Sequence, residues 1–426
     1  MLNSKDSMKN IIKKWWFWPL IVGLVIRAIL MPITLHPDLW GHSFVAYFFA
    51  YQGKLNIYEH LASLPLTHPL VRNFGVSDIF IYPPLTYFTL GFFRLLVKPF
   101  TDPAFIPWLM ENLGEVHSYR SLFWHLFLFK FPYLFFDLGL AFLLAGLFND
   151  EKKKKLAFAL WILNPVTLYA TFMVGQLDVL PTFFSVLSLY FAQRKKKSFA
   201  MISLGIGGSY KMYPLLFIPL AAFILGDNFK NRVKFILLGI FPYLLMVAPY
   251  LTSPAFRSMV LFSPKSQKML FMNWKMTGAE GIYPFVLGLS LLYFYSYYVR
   301  KKMGLDKYFL ATTLLIFSLT HYHPQWFLWV SPFLIIELVD NNFRYLFLVA
   351  TLLFSWLIIT FLFEPSLSLA LFNPINPGLN KAIGISEILS KYIDVFQFKS
   401  IIRSLFAGCS IYYLYSLFGD KAKLKK

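Results

Sequence analysis

The sequence predicts an all-α polytopic membrane protein: a bundle of 12–14 transmembrane helices with a long first outer loop that contains interfacial helices. Three observations predict it. Of 426 residues, 58% are hydrophobic and 20% aromatic, with 49 Phe, against only 14% charged; a water-soluble domain could not cover that composition with polar surface. Thirteen apolar segments recur along the chain, several of them near the ~20 residues that cross a ~30 Å hydrocarbon layer. The basic residues fall in short clusters between these segments.

Those clusters are Lys5 to Lys14, Lys152 to Lys155, Arg194 to Lys197, Lys230 to Lys234, Arg300 to Lys307, Arg344 and Lys421 to Lys426, which together hold 24 of the 40 Lys and Arg. The alternate loops, roughly 36 to 80, 252 to 280 and 364 to 397, hold only 8. By the positive-inside rule the clusters face the cytoplasm, the long loops face outward, and both termini are cytoplasmic. The same clustering sets aside nucleic acid as a partner, which a formal charge of +20 would suggest in a soluble chain. The whole chain reads as one integral membrane domain, with a tail at 1–15, a first outer loop at 36–81, a helix bundle at 82–340, and C-terminal helices with an outer loop at 341–426.

Taken in order, Trp16 to Leu35 forms the first span, with no cleavage site after it. The aromatic stretch Gly41 to Gln52 is too short to span and is placed along the membrane surface. The segment from Tyr82 to Phe100 opens with Pro83-Pro84, which suits a helix start. If it crosses, the strong span from Ser121 to Phe148 has the wrong direction. Either the Tyr82 segment re-enters or residues 101 to 120 hide a return, so cytoplasmic termini demand twelve or fourteen crossings. Within that span Lys130 and Asp137 share a face and are expected to satisfy each other or a neighbour. Cys409 lies alone in an apolar run, which rules out a disulfide framework and a cysteine metal site.

Beyond residue 150 the legs come in pairs: 156 to 175 with 178 to 193, 198 to 210 with 212 to 226, and 306 to 320 with 325 to 338. Several legs hold 12 to 15 residues, too few for a full crossing, so their tips are expected below the outer surface. The tips are Gly175-Gln176-Leu177-Asp178, Ser209 to Pro214 around Lys211, and His321 to Gln325. All three are polar, and irregular polar backbone at membrane depth is tolerated only where it is buried or lines a cavity. Asp178 and Lys211 are therefore expected to face a shared cavity that opens outward toward Asp38.

Asp38 reads either as a general base at the mouth of that cavity or as a helix cap. Lys211 reads as an anion-binding cation rather than a snorkelling one. Gln176 and Asp178 serve a ligand or the turn itself. His321, His323 and Gln325 suit hydrogen bonding to a ligand better than metal binding, because no acid accompanies them and their spacing matches no strong zinc pattern. From Phe256 to Lys275, Arg257, Lys265, Lys268 and Lys275 alternate with apolar residues as in an interfacial helix, which could also grip lipid phosphate.

Five motifs stand in order: the acid Asp38 after helix one; Tyr82-Pro83-Pro84-Leu85-Thr86; Asn164-Pro165 followed by Gly175-Gln176-Leu177-Asp178; Tyr210-Lys211-Met212-Tyr213-Pro214; and His323-Pro324-Gln325-Trp326-Phe327-Leu328-Trp329. Across residues 16 to about 340 this set resembles the GT-C superfamily of polyprenyl-phosphate-sugar-dependent glycosyltransferases. It is most like the glucosyltransferases of N-glycan assembly, the bacterial polyprenol-phosphate-mannose transferases and the GPI first-mannose transferase. The resemblance implies a GT-C-like catalytic bundle at 82–340. It also implies an inverting hexosyltransferase, mannose or glucose being the expected sugar, that acts at the extracytoplasmic face on a glycan or glycolipid acceptor. Asp38 takes the place of the family's base, with Asp78 as its rival. Lys211, then Arg257, would hold the donor phosphate, and Tyr82, Gln176, Asp178, Tyr213, His321, His323 and Gln325 the substrate. The paired acids of some members are missing, which takes away the ground for a metal requirement: no cofactor is assigned, and a divalent metal is an open alternative that is not favoured. The alternative is a transporter or flippase of a lipid-linked saccharide, for which no internal repeat is visible.

Overall fold

The computed structural model describes residues 13–299, 303–321 and 323–419. The basic residues Lys5, Lys9, Arg300 to Lys302 and Lys421 to Lys426, and Tyr322 of the third tip, lie outside them. Among the described residues the structure is mostly helical, and the one sheet is a two-stranded pair of Trp274–Lys275 with Gly281–Ile282. Among the same residues three helices are long and apolar enough to cross a membrane: Leu122–Gly146, Glu151–Met173 and Phe229–Tyr250. A fourth candidate is a broken pair, Phe17–Ile33 with Asp38–Gln52, bent by 87° between its halves.

The principal helices are α1 (Phe17–Ile33), α2 (Asp38–Gln52), α3 (Pro84–Leu96), α4 (Leu122–Gly146), α5 (Glu151–Met173), α6 (Val179–Gln193), α7 (Lys197–Gly208) and α8 (Tyr213–Leu225). They continue as α9 (Phe229–Tyr250), α10 (Pro284–Tyr298), α11 (Leu305–Leu319), α12 (Ser331–Asp340), α13 (Leu346–Phe361) and α14 (Val395–Gly419). Proline punctuates the starts. Pro84, Pro284 and Pro332 stand at the first or second positions of α3, α10 and α12, where a missing N–H costs nothing.

The lysines expected in a loop at 152–155 instead ride on the first turns of α5. The Asp150 side chain accepts the Lys153 N–H at 2.8 Å and starts the helix there, before the apolar run begins.

A buried ion pair and a buried lysine staple α1 to its neighbours. The Arg27 Nε donates to Asp137 at 2.7 Å with both side chains fully buried, and the Trp161 indole donates to the same carboxylate at 2.9 Å. Lys130 donates instead to the Thr34 carbonyl at 2.6 Å and to the Met31 carbonyl at 3.0 Å. Lys130 and Asp137 thus each satisfy a different neighbour: Asp137 holds the middle of α1 at Arg27, and Lys130 its C-terminal end at Met31 and Thr34, four residues before Asp38.

Among the described residues two large cores and a small third one result. The first runs along the bundle from α4 to α14, with Met31, Ala46 and Leu90 added from α1 to α3, and the small one joins Leu220, Leu292, Met303, Tyr308 and Ala311. The second large core gathers α2, α3, the short helices at 57–79 and 105–118, the first turns of α4, and residues 247–260. The aromatic stretch expected along the surface is α2, and most of it is buried in this second core, from Leu39 to Phe48. Its aromatic residues occupy several faces because α3, the turn after it and the 57–62 helix cover several faces. At the far end of α3, the Trp124 indole of α4 donates to the Phe100 carbonyl at 2.7 Å, and the Asp102 N–H donates to His125 at 3.3 Å. Residues 256 to 275 form short turns, Arg257–Leu261 and Pro264–Leu270, and then the strand pair, not one interfacial helix. Pro264 and the exposed Asn273 interrupt any continuous helix there.

Candidate functional site

The three polar tips meet. After Asn164, whose side chain caps the Val166 N–H at 2.9 Å, the last turn of α5 widens into a π-helix from Leu168 to Met173. Gly175 then turns back in the left-handed region at φ +79°, and a Cβ there would lie 3.1 Å from Leu39 and 3.4 Å from Lys130. Only glycine fits that backbone and that space together. The turn delivers Gln176 and Asp178, both buried.

Asp178 is the hub beneath the site. Its Oδ1 accepts from Lys211 at 2.7 Å and from the Trp329 indole at 2.6 Å, so one carboxylate joins the tips of all three paired legs. The Lys211 ammonium stands 4.9 to 5.5 Å from the ring centres of Trp329, Trp326 and Tyr82. Trp326, Trp329 and Tyr213 stack in series, at 5.1 and 4.3 Å between ring centres. The Tyr213 hydroxyl meets Thr182 Oγ1 at 2.9 Å. Charges held this deep are tolerated because each meets an opposite charge or an aromatic face.

Above this layer opens a cavity of about 510 Å³. Asp38, at the first position of α2, lines it together with His36, His42, Asp78, Tyr82, Gln176, Lys265, Lys268, His323, Gln325, Trp326 and Glu364. The Gln176 amide donates to Asp38 Oδ2, and the Asp38 N–H donates to His36 Nδ1 at 3.2 Å. Asp78 is bound to Lys265 at 2.9 Å. Lys268 stands 2.6 Å from His323 Nε2, which accepts from the ammonium, and has no acid partner among the described residues. Burial, helped by Lys265 and Lys211, lowers Lys268 below the ordinary lysine range. The Gln325 Oε1 is buried with no partner among the described residues.

No protein-family model matches this chain, and no curated protein does. What the chain offers is therefore its geometry. Of the residues picked out from sequence, Asp38, Asp78, Tyr82, Gln176, His323 and Gln325 are brought to one cavity. Asp178, Lys211 and Tyr213 lie in the layer beneath it. His321 packs against Phe271 and His323, off the wall. Arg257 is exposed and donates to the Leu251 carbonyl at 3.0 Å, away from the cavity. Glu364 and Trp326 on the wall were not singled out; Trp326 sits within the His323 to Trp329 motif, whereas Glu364 carries no local signal.

At the opposite end of the bundle, residues 147–148, 192–197, 224–227, 303–306 and 336–340 frame a second cavity of about 480 Å³. Lys197 pairs with Asp227 at 3.0 Å there, and Lys153 donates to the Asp340 carbonyl at 2.9 Å. The lysine-bearing turns thus gather at one end and the polar tips at the other. Among the described residues no three His, Cys, Asp or Glu side chains group closely enough for a metal ion.

Chemically, the first cavity combines an accessible carboxylate, cations on the facing loop, and an aromatic wall. That set can accept a proton from a hydroxyl while neutralising an anionic leaving group.

Proposed function

We propose that the chain is an inverting glycosyltransferase of the GT-C type. It would move one hexose, mannose or glucose, from a polyprenyl-phosphate sugar to a hydroxyl of a glycan or glycolipid acceptor at the extracytoplasmic membrane face. The observation that carries this reading is the convergence of Asp38, Lys265, Lys268 and Trp326 on one cavity large enough for a sugar and its phosphate.

The topology that accompanies it has twelve crossings, α1 and α4 to α14. With α3 packed along α2 and ending beside the first turn of α4, the Tyr82 segment stays in the outer layer. The parity conflict then disappears: α4 runs inward, the basic clusters at Lys152 to Lys155, Arg194 to Lys197, Lys230 to Lys234 and Arg344 are cytoplasmic, and the chain's two described ends share that side.

In the reaction, Asp38 Oδ1 takes the proton of the acceptor hydroxyl as its oxygen attacks the anomeric carbon. The bond from that carbon to the phosphate oxygen breaks, its electron pair leaves with the polyprenyl phosphate, and the single displacement inverts the centre. A positioned base is worth roughly 10²- to 10⁴-fold. Lys268 faces the developing charge, and Lys265, shared with Asp78, supports it; Lys211, committed to Asp178, holds the floor. Asp78 is tied to Lys265, which makes Asp38 the better base of the two. The lipid tail lies among exposed apolar side chains of the outer layer.

Two cavities at opposite ends of one bundle also suit a transporter or flippase of a lipid-linked saccharide. Purified protein incubated with labelled polyprenyl-phosphate mannose or glucose and candidate acceptors separates the readings. Transfer to product with release of polyprenyl phosphate supports the enzyme; donor that crosses a sealed vesicle unchanged supports the flippase and removes the enzyme.

A further inference from the structure

Asp38 begins a helix and its side chain is 44% exposed, so nothing in its own backbone decides where the carboxylate points. A general base at such a place must be held, because proton transfer depends on reach and direction. We infer that Gln176 is a positioning residue, whose amide fixes the Asp38 carboxylate by one oxygen so that the other faces the cavity. The inference rests on the reading of Asp38 as the base.

Gln176 is anchored at both ends. Its backbone N–H donates to the Ala170 carbonyl at 3.0 Å, closing the wide turn of α5, and its side chain is buried to 1% exposure. The amide nitrogen donates to Asp38 Oδ2, while the amide oxygen receives the Tyr82 hydroxyl at 3.5 Å. A carboxylate can only accept, so the nitrogen must face Asp38 and the oxygen Tyr82. His36 does not compete: its Nδ1, 3.6 Å from Oδ2, already accepts the Asp38 N–H and so carries no proton toward the carboxylate. Among the described residues no donor reaches Oδ1, and Asp38 lines the cavity. A relay from Tyr82 through Gln176 to Oδ2 therefore leaves Oδ1 for the acceptor hydroxyl. It also occupies the amide that would otherwise grip a sugar.

The test uses the full chain in lipid nanodiscs. Carbodiimide activates protonated carboxyl groups, so the pH at which Asp38 becomes labelled, followed by mass spectrometry, reports its environment without any donor. Gln176→Glu keeps the shape and puts a second carboxyl against the first, and two carboxylates that share a site hold one proton more tightly. The other ionisable groups around Asp38, which are His36, His42, Tyr82, Lys268 and His323, and Asp78, Lys265 and Glu364 elsewhere on the cavity wall, are the same residues in both proteins. The expected result is a labelling midpoint raised by about one pH unit or more. In transfer assays the acid limb of kcat/KM is expected to move the same way, with donor KM within about twofold. Gln176→Met, which keeps the side chain's length and adds no charge, is expected to lower kcat about tenfold or more at unchanged donor KM. An unmoved labelling midpoint in Gln176→Glu overturns the inference. So does a Gln176→Met enzyme whose donor KM rises while kcat holds, because Gln176 would then be a substrate contact. Full activity in Asp38→Asn is a different failure: it removes the base reading and leaves the Gln176 contact standing.

Discussion

Lys211 lies 2.7 Å from Asp178, beneath the cavity wall made by Tyr82 and Trp326. The cation within the tips is thus spent on holding them together, and among the described residues the cation that lines the cavity with no acid partner is Lys268, from the loop between α9 and α10.

This division of labour gives a first prediction. Lys268→Met is expected to raise donor KM about tenfold or more, the loss of one charge-assisted contact worth roughly 1.5–3 kcal/mol. Lys211→Met is expected to act mainly on stability, because it strands a buried carboxylate. Donor titrations and thermal unfolding of both variants check this; the opposite pattern would return the phosphate to Lys211.

A pH effect follows from the buried setting of Lys268. Its ammonium form is the one that holds a phosphate, and burial lowers the pH at which that form is lost. Donor affinity is therefore expected to be full at neutral pH and to fall as pH rises, at values below the ordinary lysine range. Lys268→Arg, charged throughout that range, is expected to abolish the alkaline fall. The measurement is donor KM against pH for the two proteins, and parallel curves would contradict the assignment.

Stability carries a third prediction, at the root of Asp38. Asp137→Asn leaves the fully buried Arg27 without its counter-charge, and breaking such a pair costs about 3–5 kcal/mol. Gly175→Ala forces an L-residue into the left-handed region, at about 1–2 kcal/mol. Thermal unfolding in detergent ranks the two, and a neutral Asp137→Asn would show that the pair does not hold α1.

Much of this was legible in the chain before any fold. The short paired legs announce the turns between them: Lys211 and His323 stand there as polar residues, and Gly175 because the turn needs φ +79°. The partner choice was not legible. That Asp178 takes Lys211, 33 residues away, and leaves Lys268 for the cavity depends on packing between hairpins, which no local pattern encodes. Glu364 reaches the wall in the same way. Nor does hydropathy announce the 87° turn between α1 and α2, since a helix buried in a protein core is as apolar as one in lipid; its only trace in sequence is Pro37.

Topology can be read chemically. Cys409 is the sole cysteine and is buried, so single cysteines can be placed in a Cys409→Ser background. Ser63→Cys and Ala104→Cys, on either side of α3, are both expected to react with an impermeant thiol reagent from outside, and Lys152→Cys only after the membrane is opened. Labelling of residues 63 and 104 from opposite sides would mean that α3 crosses and the twelve-pass arrangement is wrong.

The most direct measurement is hexose transfer by Asp38→Asn against the parent chain, with donor binding recorded on the same preparations. The account expects transfer to fall by at least about 10²-fold while donor affinity stays within a few-fold. An Asp38→Asn protein that transfers at the parent rate would contradict it.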